Sequence, residues 1–199
     1  VTPSTPPHDK AGEPKRLRAD ARRNRARILA AAEAVFAEKG SSASTEQVAE
    51  RAGVAIGTIF RHFPTKQDLL QAIMKDLMSR LTQEATALAA DDDPADALFT
   101  FFTHMVEEAA HKKTVVDLLA ETGIDLQVTD SLQLLRQKIA DLLNQSQQAG
   151  AIRHDVRLDE VIALLAGTSQ GALHGSWDHD LQQRTLAIIF DGLRPPTRR

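Results

Sequence analysis

The chain has 199 residues, 42% of them hydrophobic and 26% charged, which suffices for one large domain or for a small domain joined to a larger one. It contains no cysteine, which removes thiolate metal sites, disulfides and thiol catalysis from consideration. The formal net charge of −3 hides a split, with net +5 from Val1 to Lys66 and net −8 from Gln67 to Arg199, the layout of a protein that holds a polyanion with one end.

The longest apolar runs, such as VIALLA at 161–166, fall far below the roughly 18 residues that a membrane span needs. No charged-then-apolar leader opens the sequence, so the cytoplasm is the expected setting and no membrane partner is expected. Residues 1–19 open with the Pro-rich stretch VTPSTPPHDKAGEP, lack apolar periodicity, and read as a disordered basic arm. Asp20 can cap a first helix whose apolar stripe is Ile28, Ala32, Val35 and Phe36, ending at Lys39 before Gly40. Its opening turns carry Arg22, Arg23, Arg25 and Arg27, either as a solvated face or as a phosphate-facing surface.

Ser44 followed by Gln47 is a capping-box pattern that starts a second helix at Thr45, and Gly53 stops it. A third short helix runs from Ile56 until Pro64 forces its end at His62 or Phe63. Two short helices joined by a Gly-containing turn form a helix-turn-helix, with Ala49 at the close crossing and Val48, Ala52, Val54 and Ile59 as a small shared core. The third helix needs little length, because it has only to lie in the major groove, about 12 Å wide, and present its first turns. Gly57 lets backbone approach DNA, Thr58 can donate to a phosphate or touch a thymine methyl, and Arg61 and His62 add charge or hydrogen bonds toward the DNA backbone. The plainer reading is a helical hairpin in an ordinary bundle, with Gly57 as a corner. Thr65 and Asp68 then cap a fourth helix, with Lys66 beside first-turn amides where anions bind readily.

The stretch TEQVAERAGVAIGTIFRHFPTKQDLLQAI resembles the DNA-binding signature of the tetracycline-repressor (TetR) family, and the resemblance covers roughly Arg22 to Met78. It implies phosphate contacts from Ser44 or Thr45, Thr58, His62 and Lys66. It further implies groove contacts from Ala55, Ile56 and Gly57, and packing plus backbone approach from Phe60. Three positions depart from the family pattern. Phe60 stands where Tyr is usual and lacks its hydroxyl; Ala55 stands where Ser commonly caps the recognition helix, a cap worth about 1 kcal/mol; Glu46 stands where a basic residue is frequent.

The fourth helix is expected to run to about Ala89, with Leu69, Leu70, Ile73, Leu77 and Leu81 on its inner side. Asp93 can cap a fifth, with Pro94 at its first position. That helix carries Leu98, Phe101, Phe102 and Met105 on one stripe and Phe99 and Val106 on another, so it is central. A shorter helix over 112–121 follows, then one from Thr129 to Ala149 that bears Leu132, Leu135, Ile139, Leu142 and Leu143 and stops at Gly150. An eighth helix starts at Asp159, and Gly167, Gly171 and Gly175 recur in it every four residues, each costing about 1 kcal/mol of helix propensity, so close packing must offset them. The last helix carries Leu186, Ile189, Phe190 and Leu193. The family resemblance implies that these two helices build a four-helix bundle between subunits, which makes Gly167, Gly171, Gly175, Leu186, Ile189 and Phe190 dimerisation candidates. The alternative is intrachain packing.

The fold class is therefore all-α: an N-terminal helix-turn-helix DNA-binding domain over 20–66, followed by a larger helical effector-binding and dimerisation domain over 67–199. A mostly apolar effector cavity is expected between the helices after Pro94. Its walls would be Phe99, Phe102, Met105, Leu118, Leu135 and Leu142, and its polar selectors His104, Asn144, Gln170 and Trp177. Ligand binding would move the fourth helix and the spacing of two reading heads. Neither HGSWDHD at 174–180 nor the group of His104, Glu107, Glu108 and His111 matches an established metal-ligand spacing, and no phosphate loop or nucleophile elbow is present, so neither a cofactor nor catalysis is expected. The expected partners are an operator in double-stranded DNA, a small-molecule effector of unknown identity and a second copy of the chain. A constitutive architectural DNA-binding protein without ligand is the alternative, and an enzyme built on a helical bundle a distant third.

Overall fold

In a computed structural model of the chain, residues 13–90, 93–121, 129–175 and 177–196 are described. Among them every regular element is helical, and no strand occurs. The α-helices are α1 (Glu13–Lys39), α2 (Thr45–Ala52), α3 (Ile56–His62), α4 (Lys66–Ala89), α5 (Ala97–His111), α6 (Lys113–Glu121), α7 (Thr129–Gln148), α8 (Leu158–Gly175) and α9 (His179–Leu193). The chain divides into two compact units after Leu69. None of these helices is long and apolar enough to cross a membrane.

In the first unit, Ile28, Ala32, Val35 and Phe36 are buried on α1, which packs on α2. Helix α1 begins at Glu13 rather than at Asp20, so residues 13–19 are helical and not part of a disordered arm; residues 1–12 lie outside the described residues. The physical reason is that Pro14 falls in the first turn, where its missing N–H would have no intrahelical partner, and the residues after it contain no glycine and no β-branched side chain. Asp20 therefore lies inside the helix and pairs with Arg23 instead of capping.

Local signals set the next three boundaries. Ser44 Oγ accepts the Gln47 N–H at 3.3 Å while the Gln47 side chain accepts the Ser44 N–H at 3.2 Å, a complete capping box. Gly53 takes φ +62°, the left-handed conformation that other residues resist, and its N–H returns to the last turn of α2. Ala55 offers α3 no side-chain cap, as the sequence implied. Thr65 and Asp68 cap α4 reciprocally, each backbone N–H meeting the other's side chain at 3.0 Å.

In the second unit α5 is central, packing on α8, α7 and α6, with Leu98, Phe101, Phe102 and Val106 buried. It starts at Ala97, four residues after the expected cap. Residues 94–96 form a turn instead: Asp93 accepts the Ala95 N–H, and the Pro94 carbonyl is taken by the fully buried Ser146 hydroxyl at 2.9 Å. Gly150 (φ +75°) ends the run after α7, and the following loop is stitched down by the Gln147 amide, which donates to the Arg153 and Val156 carbonyls at 2.9 Å each. The Arg153 N–H reaches the Leu193 carbonyl at 3.0 Å, which ties that loop to the end of α9.

The glycine face of α8 receives a partner from its own chain. A Cβ at Gly171 would stand 2.7 Å from Trp177 Cζ2, and one at Gly175 2.5 Å from Trp177 Nε1. These two glycines make room for the indole, so the close approach expected from a second subunit is intrachain at Gly171 and Gly175. Gly167 faces open space.

Candidate nucleic-acid interface

Helix α3 is held by one buried residue, Ile59, against the core formed with Val48, Ala49 and Ala52 of α2. Its remaining surface points outward. Ala55, Gly57, Arg61 and His62 are exposed, Thr58 is half-buried, and two large apolar side chains one turn apart, Ile56 and Phe60, are 36% and 44% exposed. Nothing lies within 4 Å of a Cβ built at Gly57. A seven-residue helix with apolar side chains and bare backbone on its free face can meet thymine methyls and sugar edges, and its last turn ends in the cationic Arg61 and in His62.

The supporting residues are more constrained. The Ser44 hydroxyl is engaged as the α2 cap, and Thr45 is half-buried beside it. Lys66 donates to the Ser41 carbonyl at 2.9 Å and lies 5.5 Å from the Phe36 ring centroid, so its ammonium closes the helix-turn-helix as well as charging the surface. The exposed Glu46 carboxyl is held below the ordinary glutamate range, first by a backbone N–H of its own helix end and then by the Ser44 hydroxyl. It therefore stays anionic at the face that the other residues make suitable for DNA.

The effector candidates are spread between the core and the surface of the second unit. Phe99, Phe102, Leu118, Leu135 and Leu142 are buried, and Phe99 and Phe102 close on the Phe190 ring at centroid distances of 4.8 and 5.6 Å. Met105 is half-buried. Asn144 and Gln170 are exposed, and Trp177 fills the glycine face of α8. Only His104 among the ten lines a described cleft, about 270 Å³ in volume, where it touches Glu84 and where Arg80 and Glu108 face one another at 3.6 Å.

The dimerisation candidates divide in the same way. Leu186 is buried, and Ile189 and Phe190 pack on their own chain's core, so this stripe is not the free face of α9. The free face carries Leu181, 48% exposed, and Ile188, 75% exposed. On α8 the exposed residues include Ala163, Leu164, Ala166 and Gly167. Sequence reasoning missed Ile188 because the more regular stripe beside it drew the assignment; an isoleucine one step off a complete apolar stripe was the available signal.

Residues 28–73 match the family model for bacterial regulatory proteins of the tetR family, and residues 93–195 match that for the SbtR-like transcriptional regulator C-terminal domain. The fold is similar to the crystal structure of the TetR transcription regulatory protein from Mycobacterium vanbaalenii, with 38% identity, a TM-score of 0.76, and coverage of 90% of this chain and 99% of that one. The sequence is 28% identical over 191 residues to the HTH-type transcriptional regulator UidR of Escherichia coli (strain K12), covering 89% of this chain and 93% of the relative. It is also 28% identical over 210 residues to the HTH-type transcriptional repressor BepR of Brucella suis biovar 1 (strain 1330), covering 92% and 97%.

Proposed function

Because the chain belongs to the TetR family of DNA-binding transcriptional regulators, we propose that it is a homodimeric repressor that grips an operator with α3 of each subunit and releases it when a small molecule binds the second unit. The observation that carries the DNA-binding part is the outward face of α3. Large apolar side chains at Ile56 and Phe60 flank an unobstructed Gly57, an arrangement that costs solvent exposure in the free protein and gains contact in a groove. Repression is supported by the family and by the repressor BepR among its relatives.

Dimerisation rests on the free faces of α8 and α9. Leu164, Gly167, Leu181 and Ile188 leave an apolar surface that a second copy would cover, and a symmetric pair places two α3 helices about one DNA turn, ~34 Å, apart. The effector acts by differential affinity: it needs only to bind better to the arrangement that misfits the operator. Footprinting on the DNA upstream of the gene, with and without a metabolite panel, tests the whole reading. A protected pseudo-palindrome that a metabolite releases is the expected result. Protection that no metabolite alters, together with a melting temperature that none raises, would replace the repressor by a constitutive DNA-binding protein.

A further inference from the structure

The arginines in the first half of α1 do not share one task. Arg25 is half-buried, its guanidinium 5.6 Å from the Phe63 ring centroid. Arg23 and Arg27, one helical turn apart, are exposed and form one wall of a groove of about 760 Å³ whose other wall is Arg61 and His62 from the last turn of α3. Asp20, Ala21 and Asn24 complete the lining. One concavity thus gathers three permanent cations and a histidine against a single carboxylate.

The α1 arginines are positioned within it. Arg23 pairs with Asp20, and Arg27 donates to the Asn24 side-chain oxygen at 2.8 Å, while Arg61 has no hydrogen bond or ion pair among the described residues. Guanidinium groups crowded on one exposed concavity repel one another until an anion sits between them. Their planar forks match phosphate oxygens. The groove ends at the same helix whose opposite end offers Ile56 and Gly57, so a strand bordering the major groove would continue into it. A run of phosphodiesters fits this site better than a compact anion, because the cations are spread along two helices.

We propose that the groove between the first half of α1 and the last turn of α3 clamps backbone phosphates of duplex DNA, with Arg23 and Arg27 as contacts additional to the helix-turn-helix and Asp20 as a counter-charge that weakens the grip. This rests on the DNA-binding reading above. On binding, Arg23 exchanges the Asp20 carboxylate for a phosphate, and Asp20 is left facing the polyanion.

The test uses the full chain and a random-sequence duplex, titrated across a salt series, because binding to such DNA is electrostatic. The variant Arg23→Gln/Arg27→Gln is expected to bind on the order of tenfold more weakly, the loss of charge-assisted contacts. Its salt slope should fall by about 0.9 for each arginine that held a phosphate. Arg23→Lys/Arg27→Lys should keep the slope. Asp20→Asn should bind about threefold more tightly, the scale of one unit-charge interaction across a few ångströms of water. The footprinted sequence should be the same for all. A Gln variant with wild-type affinity and slope, or an Asp20→Asn variant that binds more weakly, would overturn the clamp while leaving operator binding by α3 intact. A wild-type chain that binds no duplex at low salt would overturn the DNA-binding reading and the clamp with it.

Discussion

Replacing Gly171 by alanine sets two opposed effects of known size against each other. Alanine gains about 1 kcal/mol of helix propensity over glycine in a helix interior. Against that, the new methyl would lie 2.7 Å from Trp177 Cζ2 and 3.1 Å from Cη2, well inside van der Waals contact. The ring has little freedom to retreat by sliding along α8, because Gly175 already meets its Nε1 edge. Overpacking of this kind costs about 1–3 kcal/mol, so the variant is expected to be destabilised by about 1 kcal/mol net. In a Trp177→Ala background the obstruction is gone, and the same substitution should stabilise by about 1 kcal/mol. At Gly167, where nothing of its own chain stands within 4 Å, alanine meets no such obstruction within the subunit in either background. Urea unfolding of the four members of the Gly171/Trp177 cycle, at one protein concentration, yields a coupling energy of about 2 kcal/mol if this is right. A Gly171→Ala penalty that persists without Trp177 would refute the reasoning and return this glycine to a contact between subunits.

Ile188→Asp places a charge at the most exposed large apolar side chain of α9 and should give folded monomers by analytical ultracentrifugation with greatly weakened operator binding; a variant that stays dimeric would move the interface elsewhere. Ser146→Ala leaves the Pro94 carbonyl without its buried partner and should cost about 1–3 kcal/mol in denaturant unfolding, whereas an unchanged midpoint would mean that water replaces the hydroxyl. Among the described residues, three carboxyls titrate below their ordinary range: Glu46 for the reasons given above, Asp159 through the Arg136 hydrogen bond, and Glu160 through the Arg157 backbone N–H and then its side chain. Because their folded values are depressed, the stability they add is complete above the unfolded values, near 4.5 for the glutamates and 3.8 for the aspartate, and is lost as pH falls through the lower folded values. Thermal melts of Glu160→Gln should therefore lose less stability than wild type over that acid range, and superimposable profiles would contradict the assignment.

What the sequence made legible was local. Ser44 with Gln47, Gly53 and Pro64 each act within a few residues, through a cap, a left-handed turn and a steric block, and the helix-turn-helix boundaries follow from them with no knowledge of the rest of the chain. What it concealed was the identity of the partner. Periodicity reveals that Gly171 and Gly175 admit something close, yet it does not distinguish a neighbouring subunit from Trp177. Likewise Leu186, Ile189 and Phe190 form an apolar stripe whichever core they join, and the Phe99 and Phe102 rings that receive Phe190 lie more than eighty residues earlier. Asp20 misled for a local reason: a good capping residue reads as a start only if the residues before it are not already helical, and Pro14 in a first turn permits what Pro in an interior forbids.

The central claim is that α3 enters a DNA groove with Gly57 at the point of closest approach. Gly57→Leu tests it most directly, because nothing stands within 4 Å of a Cβ at this position, so the side chain leaves the helix unobstructed in the free protein and should even favour the helix. Gel-shift affinity for the footprinted operator, measured beside circular dichroism and a thermal melt, should show binding abolished with helicity and melting temperature retained or raised. A Gly57→Leu protein that binds the operator as tightly as wild type would remove α3 from the groove.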